Sequence, residues 1–559
     1  MWTDATRKQD KEFRLPKVSY IDFTHLEMDR VLTAFFARLH HHGLSSRLTR
    51  KFELTLEKFT AEFLEYPQFF SDFEKYPNIV ERWIETHLMD VVNRGKAGQA
   101  IAAPRPLHGY TYRFRNPKHS RDYNASQHLY ETLYHAREGL GTKALEHLKR
   151  FFFSGIDPNT GELSVDASVD VETQALLRLT QQVKDAPEAS ERESFQPLCI
   201  GSTDLMAEDI IRLLAYQDFI PRSVMVEYLK ILISFHLSLY HLRLMKLLPA
   251  LVKRKGGDPT CLPNRCPMSP KKNLGTHGDC PYRLGILVDV TNDPESNMAA
   301  LATAAAEGTY RRIPAFLKSY FIAKKLDEFA SFLVRTRKLS KPERGYFTVG
   351  EALELLGPLH DGERDQFFGS RLAMLIEEST DHGELDPQIA EIIDLGLGKF
   401  DTYIEIICSL RGGFHRTALV KCLDSLMQKN RPGALLAQPG GQKSQRRFVM
   451  DSRLLEVLLQ VSVLQPGGYL GYHTKSIRIE ELIAMLRDRY GLYLTEFPVN
   501  GAFSEPTISD RQALRENEKA LKRRLREIGF YRDLSDAFVT QVISPRYPIE
   551  KEHPAGELS

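Results

Sequence analysis

Residues 221–248 read PRSVMVEYLKILISFHLSLYHLRLMKLL, and this stretch decides the fold class of the chain. Apolar residues lie on most sides of the helix that it encodes, so the helix has to be buried inside the protein. Pro221 suits the first turn of that helix and separates it from an earlier helix that begins near Met206. The uncharged part, ILISFHLSLYHL, is too short to cross a bilayer. We therefore expect the core helix of a mainly α protein.

Length and composition narrow the class of protein further. The chain has 559 residues, too many for one hydrophobic core, which predicts roughly three or four domains, or two large ones. Hydrophobic residues make up 42% and charged residues 26%, as in folded soluble proteins. The net charge is only +2, so binding to nucleic acid would need a local basic patch. The polar N-terminal sequence lacks the apolar core of a signal peptide, and we expect a cytoplasmic protein without membrane contact.

Helical periodicity dominates the rest of the chain. Phe23 to His40 carries apolar residues at three- and four-residue spacing, and helical patterns continue to about Gln428. Residues 430–445 are rich in Pro, Gly and polar side chains, as linkers are. The expected units are an N-terminal helical domain over 1–153, a central helical domain over 154–430 and a C-terminal domain over 446–547.

Half of the six cysteines fall in one segment, CLPNRCPMSPKKNLGTHGDC, inside a loop at 258–282. Three thiols and one imidazole make a full tetrahedral shell for Zn²⁺, which binds sulfur and imidazole nitrogen well. The expected ligands of this structural zinc are Cys261, Cys266, His277 and Cys280. Asp279, His236 or His241 could replace His277, and the alternative is a loop with incidental cysteines. A closed site would join the apolar helix to a short strand expected at 284–290.

The C-terminal region predicts three helices followed by a hairpin or wing. The first helix covers about Ser452 to Leu464, and the second covers 476–491. A capping box of Ser509 and Gln512 begins the third helix, which stops at Gly529. This order of elements is typical of a winged-helix domain.

The third of these helices carries a basic stripe about 100° away from its apolar face. The stripe consists of Arg511, Arg515, Lys519, Lys522 and Arg526. A helix that docks on its own domain and faces DNA has this arrangement, and its cations would meet phosphates. Two alternatives stay open: a solvated helix whose charge is balanced by nearby glutamates, and a domain that docks proteins.

Few other sequence patterns indicate a catalytic or ligand-binding site. The chain lacks a Walker loop, a dinucleotide-binding glycine pattern and a nucleophile elbow. LRGGFHRTALVK, residues 410–421, suggests a phosphate-binding turn or a Gly-Gly turn between two helices. Asp289 ends the expected strand, and Asp293 and Glu295 follow it, so a metal-dependent nuclease is an alternative to a protein without enzyme activity.

Three segments resemble a large family of proteins from bacterial anti-phage defence islands. They are RVLTAFFARL (30–39), LLAYQDFIPRSVMVEYLKILISFHLSLYHLRL (213–244) and LKRRLREIGFYRDLSDAFVTQVISPRY (521–547). The resemblance covers most of the chain and is to an accessory component of the methylation-associated defence system. It implies a bacterial cytoplasmic protein that works beside methyltransferase, nuclease or ATPase partners, with phage DNA as the target. It brings no active-site residues.

The expected function follows from the residues and the resemblance together. We expect a non-enzymatic, zinc-stabilised, mostly helical component of a bacterial defence complex. Its C-terminal domain would contact DNA or a partner protein. The alternatives are a metal-dependent nuclease that acts on foreign DNA through Asp289, and a pure protein scaffold.

Overall fold

The computed structural model is mainly helical, which confirms the expected fold class at this level. It describes residues 14–48, 55–64, 75–92, 99–156, 185–262, 264–268, 280–378, 380–381, 384–440, 444–468, 471–498, 503, 505–532 and 542–551. All structural statements below concern these residues.

The helices are numbered in chain order. The first part of the chain contains α1 (Met28–His40), α2 (Leu56–Leu64), α3 (Pro77–Trp83), α4 (Ala125–Tyr134), α5 (Leu140–Phe153), α6 (Ile200–Leu214) and α7 (Arg222–Arg254). The remainder contains α8 (Asn297–Tyr310), α9 (Ile313–Arg335), α10 (Val349–Glu354), α11 (Asp361–Glu378), α12 (Pro387–Asp394), α13 (Lys399–Leu426), α14 (Ser452–Ser462), α15 (Ile479–Met485) and α16 (Ile508–Glu527). π-helical turns continue α3 over Ile84–Leu88 and α15 over Leu486–Tyr490, and 3₁₀ turns cover Gly109–Phe114, Pro259–Cys261 and Pro358–His360.

The strands are short and form small sheets. Antiparallel pairs join β1 (Ser46–Leu48) to β4 (Asp185–Pro187), β2 (Met89–Val92) to β3 (Ala100–Pro104), β6 (Thr380–Asp381) to β7 (Glu384–Leu385), β8 (Leu436–Ala437) to β9 (Arg447–Phe448), and β10 (Leu464–Pro466) to β11 (Tyr472–Thr474). A three-stranded antiparallel sheet has the order β12 (Ile477–Arg478), β15 (Val542–Ile543), β14 (Tyr531–Arg532). A parallel pair joins β5 (Ile286–Leu287) to β13 (Leu492–Tyr493).

Helix α7 is the central helix of the fold. It begins directly after Pro221, is 33 residues long, and is buried without interruption from Ile231 to Met245. It packs against α1, α6, α9, α13 and α14. Of the described helices, α7 alone is long and apolar enough to span a membrane, yet 94% of its most apolar window lies inside the fold. This burial is that of a core helix, as its sequence predicts.

Strand β5 connects the middle of the chain to its C-terminal part. Leu492 and Tyr493 pair in parallel with Ile286 and Leu287 on one side. On the other side, Asp289 forms a parallel bridge with Val449. The segment expected to be a strand therefore lies between two segments that are distant in sequence.

The buried core crosses the expected domain limits. One cluster of buried apolar side chains contains residues from Leu15 to Ile549, including most of α7 and α14. Smaller clusters lie around Ile84 and around Tyr493. The boundaries at 153 and 430 stay predictions, because core packing across them does not show where independently folding units begin and end.

A buried carboxylate holds three elements of this core together. Asp209 lies on α6 and is fully buried. It accepts hydrogen bonds from Arg489 Nε at 3.1 Å and from Tyr490 Oη at 2.8 Å, both in the turn after α15. His236 Nε2, on α7, lies 2.9 Å from Asp209 Oδ2. Burial alone would raise the pKa of Asp209, but the Arg489 charge and the His236 hydrogen bond hold it well below its usual range.

One expectation for a turn is wrong. Residues 410–421 were expected to contain a phosphate-binding or Gly-Gly turn, but they lie inside the continuous helix α13. A Cβ atom on Gly412 or Gly413 would meet nothing within 4 Å, so these glycines sit in open space on the helix surface. Their helix cost of about 1 kcal/mol each is offset by the buried side chains of the rest of α13.

Replacing Asp209 by Asn should destabilise the protein by ~3–5 kcal/mol, because Arg489 then keeps a buried charge with a weakened partner. Urea unfolding measures this change. The folded-state pKa of Asp209 is depressed, so its contribution is present above the pKa of the unfolded chain and is lost as the pH falls into the acid range. Unfolding of Asp209→Asn should therefore depend less on pH in acid than unfolding of the wild type.

The matched control is Arg487→Gln, two residues from Arg489. Arg487 is about one-third exposed and pairs with Asp488 and Glu496 at the surface. Its loss should cost under ~1 kcal/mol. Equal effects of the two substitutions would contradict the central position given to Asp209.

Candidate functional site

Three of the four expected zinc ligands lie in described residues. Cys261 ends the 3₁₀ turn after α7, Cys266 follows in the next turn, and Cys280 is buried just before β5. His277 and the alternative ligand Asp279 lie outside the described residues. The cysteines are free thiols, without a disulfide.

A fourth cysteine, Cys199, is an electrostatic neighbour of these three thiols. It precedes the first residue of α6, and its Sγ is 3.2 Å from Ser202 Oγ. Burial, together with the neighbouring groups of Cys199, Asp258, Cys280 and Cys266, raises the pKa of Cys261 to about 12. The pKa values of Cys266 and Cys280 are also raised, first by burial and then with Cys199 as a contributing neighbour. We call Cys199, Cys261, Cys266 and Cys280 the thiol cluster.

Direct packing brings the cysteine-bearing loop onto the first turn of α6. A Cβ atom built on Gly201 would lie 2.6 Å from Met268 Cβ and 3.1 Å from Cys266 Sγ. Only the missing side chain at position 201 allows this approach. Cys199 and Cys266 therefore belong to segments in immediate contact, although the sequence separates them widely.

The two histidines considered as replacement ligands have other partners. His236 Nε2 is engaged by Asp209 at 2.9 Å. His241 uses both ring nitrogens: Nδ1 lies 2.7 Å from Leu237 O, and Nε2 lies 3.0 Å from Ser19 Oγ. Across the described ranges, no group of three or more His, Cys, Asp or Glu side chains is placed so that it could hold a metal ion.

The second candidate site is the outer surface of α16. Arg511, Arg515, Lys519 and Arg526 are exposed, and Lys522 is half-buried. Arg523 is exposed as well and lies on the same arc, although it was absent from the stripe expected from the sequence. We call these six residues the basic face. At about 100° per residue they cover roughly 120° of the helix, without an acidic residue between them.

Local ion pairs leave much of the basic face available. Lys522 Nζ pairs with Glu518 at 2.9 Å, and the Arg526 guanidinium lies 5.3 Å from the centre of the Tyr531 ring. Arg511, Arg515 and Lys519 form no ion pair with another described residue. Their charges face solvent, so they contribute to the potential outside the protein.

The opposite side of α16 is anchored in the core. Asn517 is buried; it accepts a hydrogen bond from Val290 N at 2.8 Å and donates to Val288 O and Leu494 O at 2.9 Å. Asn517 therefore joins the segment that follows β5 to the segment that follows β13. Arg524 is also buried and donates to Met450 O. These contacts fix the rotation of α16, so that the basic face points outward.

Asp289, the residue considered for nuclease chemistry, is buried. Its Oδ1 accepts hydrogen bonds from Thr291 N at 2.7 Å and Thr291 Oγ1 at 2.6 Å. Arg447 Nε lies 3.5 Å from Oδ2. Asp293 is exposed on the following turn, where its carboxylate caps Glu295 N. This geometry favours a structural role for Asp289, because the carboxylate is enclosed and stabilises the chain after β5.

Comparison with known proteins identifies the family. The family model described as "Methylation-associated defense system protein MAD7" matches residues 8–547. The chain belongs to this family. The expected resemblance to a component of the methylation-associated defence system is therefore confirmed. No curated protein matches the chain.

Membership of the MAD7 family shows what system the protein serves. It is a component of a defence system, and the other proteins of that system are its indicated partners. Family membership assigns no role to the thiol cluster or the basic face. Their roles have to be argued from the geometry above.

Replacing Asn517 by Ala should destabilise this MAD7-family chain by ~2–5 kcal/mol, because it leaves buried backbone groups of two strands without partners. Chemical unfolding measures the effect. Gln512→Ala is the control on the same helix: Gln512 is exposed, and its loss should change stability by no more than ~0.5 kcal/mol. An Asn517→Ala variant as stable as this control would show that α16 is not anchored in this way.

Proposed function

We propose that this MAD7-family protein is a non-enzymatic component of its defence system that binds DNA phosphates through the basic face of α16. The observation that carries the proposal is the division of α16 into two sides. One side is fixed in the core by Asn517 and Arg524. The other presents a continuous band of cations, and exposed cations on a rigid helix are what phosphate contact requires.

The order of elements around α16 supports a winged-helix arrangement. Strands β10, β11 and β12 lie between α14 and α15, β13 lies between α15 and α16, and β14 and β15 follow α16. Strands β12, β14 and β15 form a sheet in which β15 lies between β12 and β14. Helix α16 would then be the recognition helix, the element that a helix-turn-helix fold presents to the DNA groove.

A structural zinc is the second part of the proposal. Cys261, Cys266 and Cys280 lie between the end of α7 and the start of β5, in a loop with few other regular elements. Thiolates hold Zn²⁺ tightly and without redox chemistry, and a closed shell leaves no position for substrate. The metal would therefore stabilise the junction and would not take part in a reaction.

Protein docking competes with DNA binding for the same surface. The net charge of the whole chain is only +2, so the basic face acts locally and could equally meet an acidic partner in the defence complex. A pure scaffold needs neither ligand. Binding measurements separate these roles, since phosphate contact has a characteristic dependence on salt.

Charge reversal on the basic face should weaken DNA binding. The double variant Arg515→Glu with Lys519→Glu removes two exposed cations that have no ion-pair partner in the described chain. We expect a loss of affinity for a short DNA duplex on the order of tenfold or more, and a slope of log K against log salt reduced by roughly one unit per lost contact. Fluorescence anisotropy over a salt series measures both.

The control reverses the same amount of charge elsewhere. Lys253→Glu with Lys341→Glu changes two exposed lysines far from α16 in sequence, and DNA affinity should stay within about twofold of wild type. Unchanged affinity and slope in the α16 variant would refute the DNA proposal. If the α16 variant then failed to copurify with its defence partners, the basic face would be a protein-docking surface.

The nuclease alternative has its own test. We expect no cleavage when the protein is incubated with plasmid or phage DNA and Mg²⁺ or Mn²⁺, because the Asp289 carboxylate is enclosed by Thr291 and Arg447. Gel electrophoresis measures the outcome. Cleavage that is lost in Asp289→Asn and kept in Asp293→Asn would replace the non-enzymatic proposal by a nuclease.

A further inference from the structure

Negative charge is concentrated in one part of the chain. Residues 361–405 contain twelve acidic and three basic residues, whereas the whole chain carries a net charge of only +2. This segment forms α11, α12 and the beginning of α13. Charge of one sign on one part of the surface attracts a partner of the opposite sign.

The region around α12 presents this negative charge together with apolar side chains. Glu391 and Asp394 lie three residues apart on α12, so they are neighbours on one face of the helix. Leu395 and Leu397, in the link between α12 and α13, are 66% and 42% exposed. We give the name acidic surface to six exposed residues of this region, which are Asp386, Glu391, Asp394, Leu395, Leu397 and Asp401.

Contacts with α13 hold the acidic surface in position. Ile389 of α12 is buried, and Ser409 Oγ of α13 donates a hydrogen bond to Gln388 Oε1 at 3.4 Å. The Asp386 carboxylate accepts a hydrogen bond from Gln388 N at 2.9 Å and caps α12. None of the four carboxylates of the acidic surface forms an ion pair with another described residue. Their charge is therefore available to a partner.

The basic face of α16 has the complementary composition. Ile508, the first residue of α16, is 87% exposed. At about 100° per residue, Ile508 falls within roughly 20° of Arg515, Lys519 and Arg526, on the midline of the basic face. One surface thus combines carboxylates with exposed leucines, and the other combines cations with an exposed isoleucine. Surfaces that match in both respects fit each other in an interface.

We infer that the acidic surface of one copy of this protein binds the basic face of a second copy. The carboxylates around α12 meet the cations of α16, and the two exposed leucines cover Ile508. The surfaces lie on different elements of one chain, since α12 packs on α13 whereas α16 packs on α8 and β14. The inference goes beyond DNA binding: it uses the same basic face, but it does not require that DNA binds there.

This contact joins two different surfaces, so it is heterologous. A pair of copies keeps one acidic surface and one basic face unoccupied, and further copies add to both ends. Unless the rotation between copies closes a ring, the product is an open chain that lengthens as the protein concentration rises. Where DNA occupies the basic face, the second copy is displaced, because both bind the same cations.

The first test measures the mass of the unaltered full-length protein in solution without DNA. In analytical ultracentrifugation, the weight-average mass should rise with concentration up to tens of micromolar at about 0.1 M salt, where charges act over ~10 Å. It should fall towards the mass of one chain at about 1 M salt, where this range is ~3 Å. The mass of a single chain under all these conditions would overturn the inference.

Charge-swap variants then identify the two surfaces. Glu391→Lys with Asp394→Lys should weaken association on the order of tenfold or more, because like charges then face each other. Arg515→Glu with Lys519→Glu should weaken it to a similar degree. All four substitutions in one chain should restore association towards wild type, since opposite charges face each other again. A variant that had only lost stability would not be restored in this way.

The control reverses two exposed carboxylates outside both surfaces. Glu191→Lys with Glu343→Lys changes the net charge as much as the α12 variant does, and association should stay within about twofold of wild type. An equal loss in the control, or no restoration by the four combined substitutions, would refute the pairing of these surfaces. The α12 variant keeps the basic face intact, so its DNA affinity should be no lower than that of wild type. Failure of DNA binding with successful charge swapping would leave self-association as the role of the basic face.

Discussion

A buried carboxylate on α6 is the constraint on which the arrangement of the core depends. Asp209 has no access to water, and a charge in that position is tolerated only with full compensation. The compensation comes from α7 through His236 and from the turn after α15 through Arg489 and Tyr490. The contact between His236 and Asp209 therefore favours one register of α7 against α6. The C-terminal part of the chain has to pack against the same point.

Part of this fold could be predicted from local sequence. The burial of α7 follows from apolar residues on most of its sides, and the position of α16 follows from its two-sided pattern. The predicted capping box of Ser509 and Gln512 was wrong, because Thr507 and Asp510 form the capping box of α16. The pairing of β5 with β13 could not be predicted in the same way. Each strand has two residues, too few for a periodic signal, and the pairing joins distant segments through Asn517. Gly412 and Gly413 led to the prediction of a turn, but this segment is part of the continuous helix α13. The packing of the rest of α13 outweighs the low helix propensity of glycine.

The candidate sites could also be predicted only where their residues lie close together in the sequence. Spacing arguments found Cys261, Cys266 and Cys280 because they lie in one segment, but Cys199 precedes a different helix. No pattern in the sequence relates it to the others, since only the tertiary fold brings α6 onto the loop. The basic stripe was visible because it repeats along one helix, and Arg523 was left out because it lies at the edge of the arc. A one-dimensional pattern identifies sites built on one element and misses those assembled from several.

The β5–β13 pair also has a consequence for protein synthesis. Leu492 leaves the ribosome about 200 residues after Ile286, which at ~5–20 residues per second means a delay of roughly 10–40 s. During that interval the apolar strand β5 lacks its partner β13, and α7 lacks α14 until residues 452–462 have emerged. We therefore expect chaperones to bind the nascent chain until its last hundred residues emerge. A prematurely terminated product would keep this apolar surface uncovered and should be degraded, which would couple the cellular level of the defence component to complete translation.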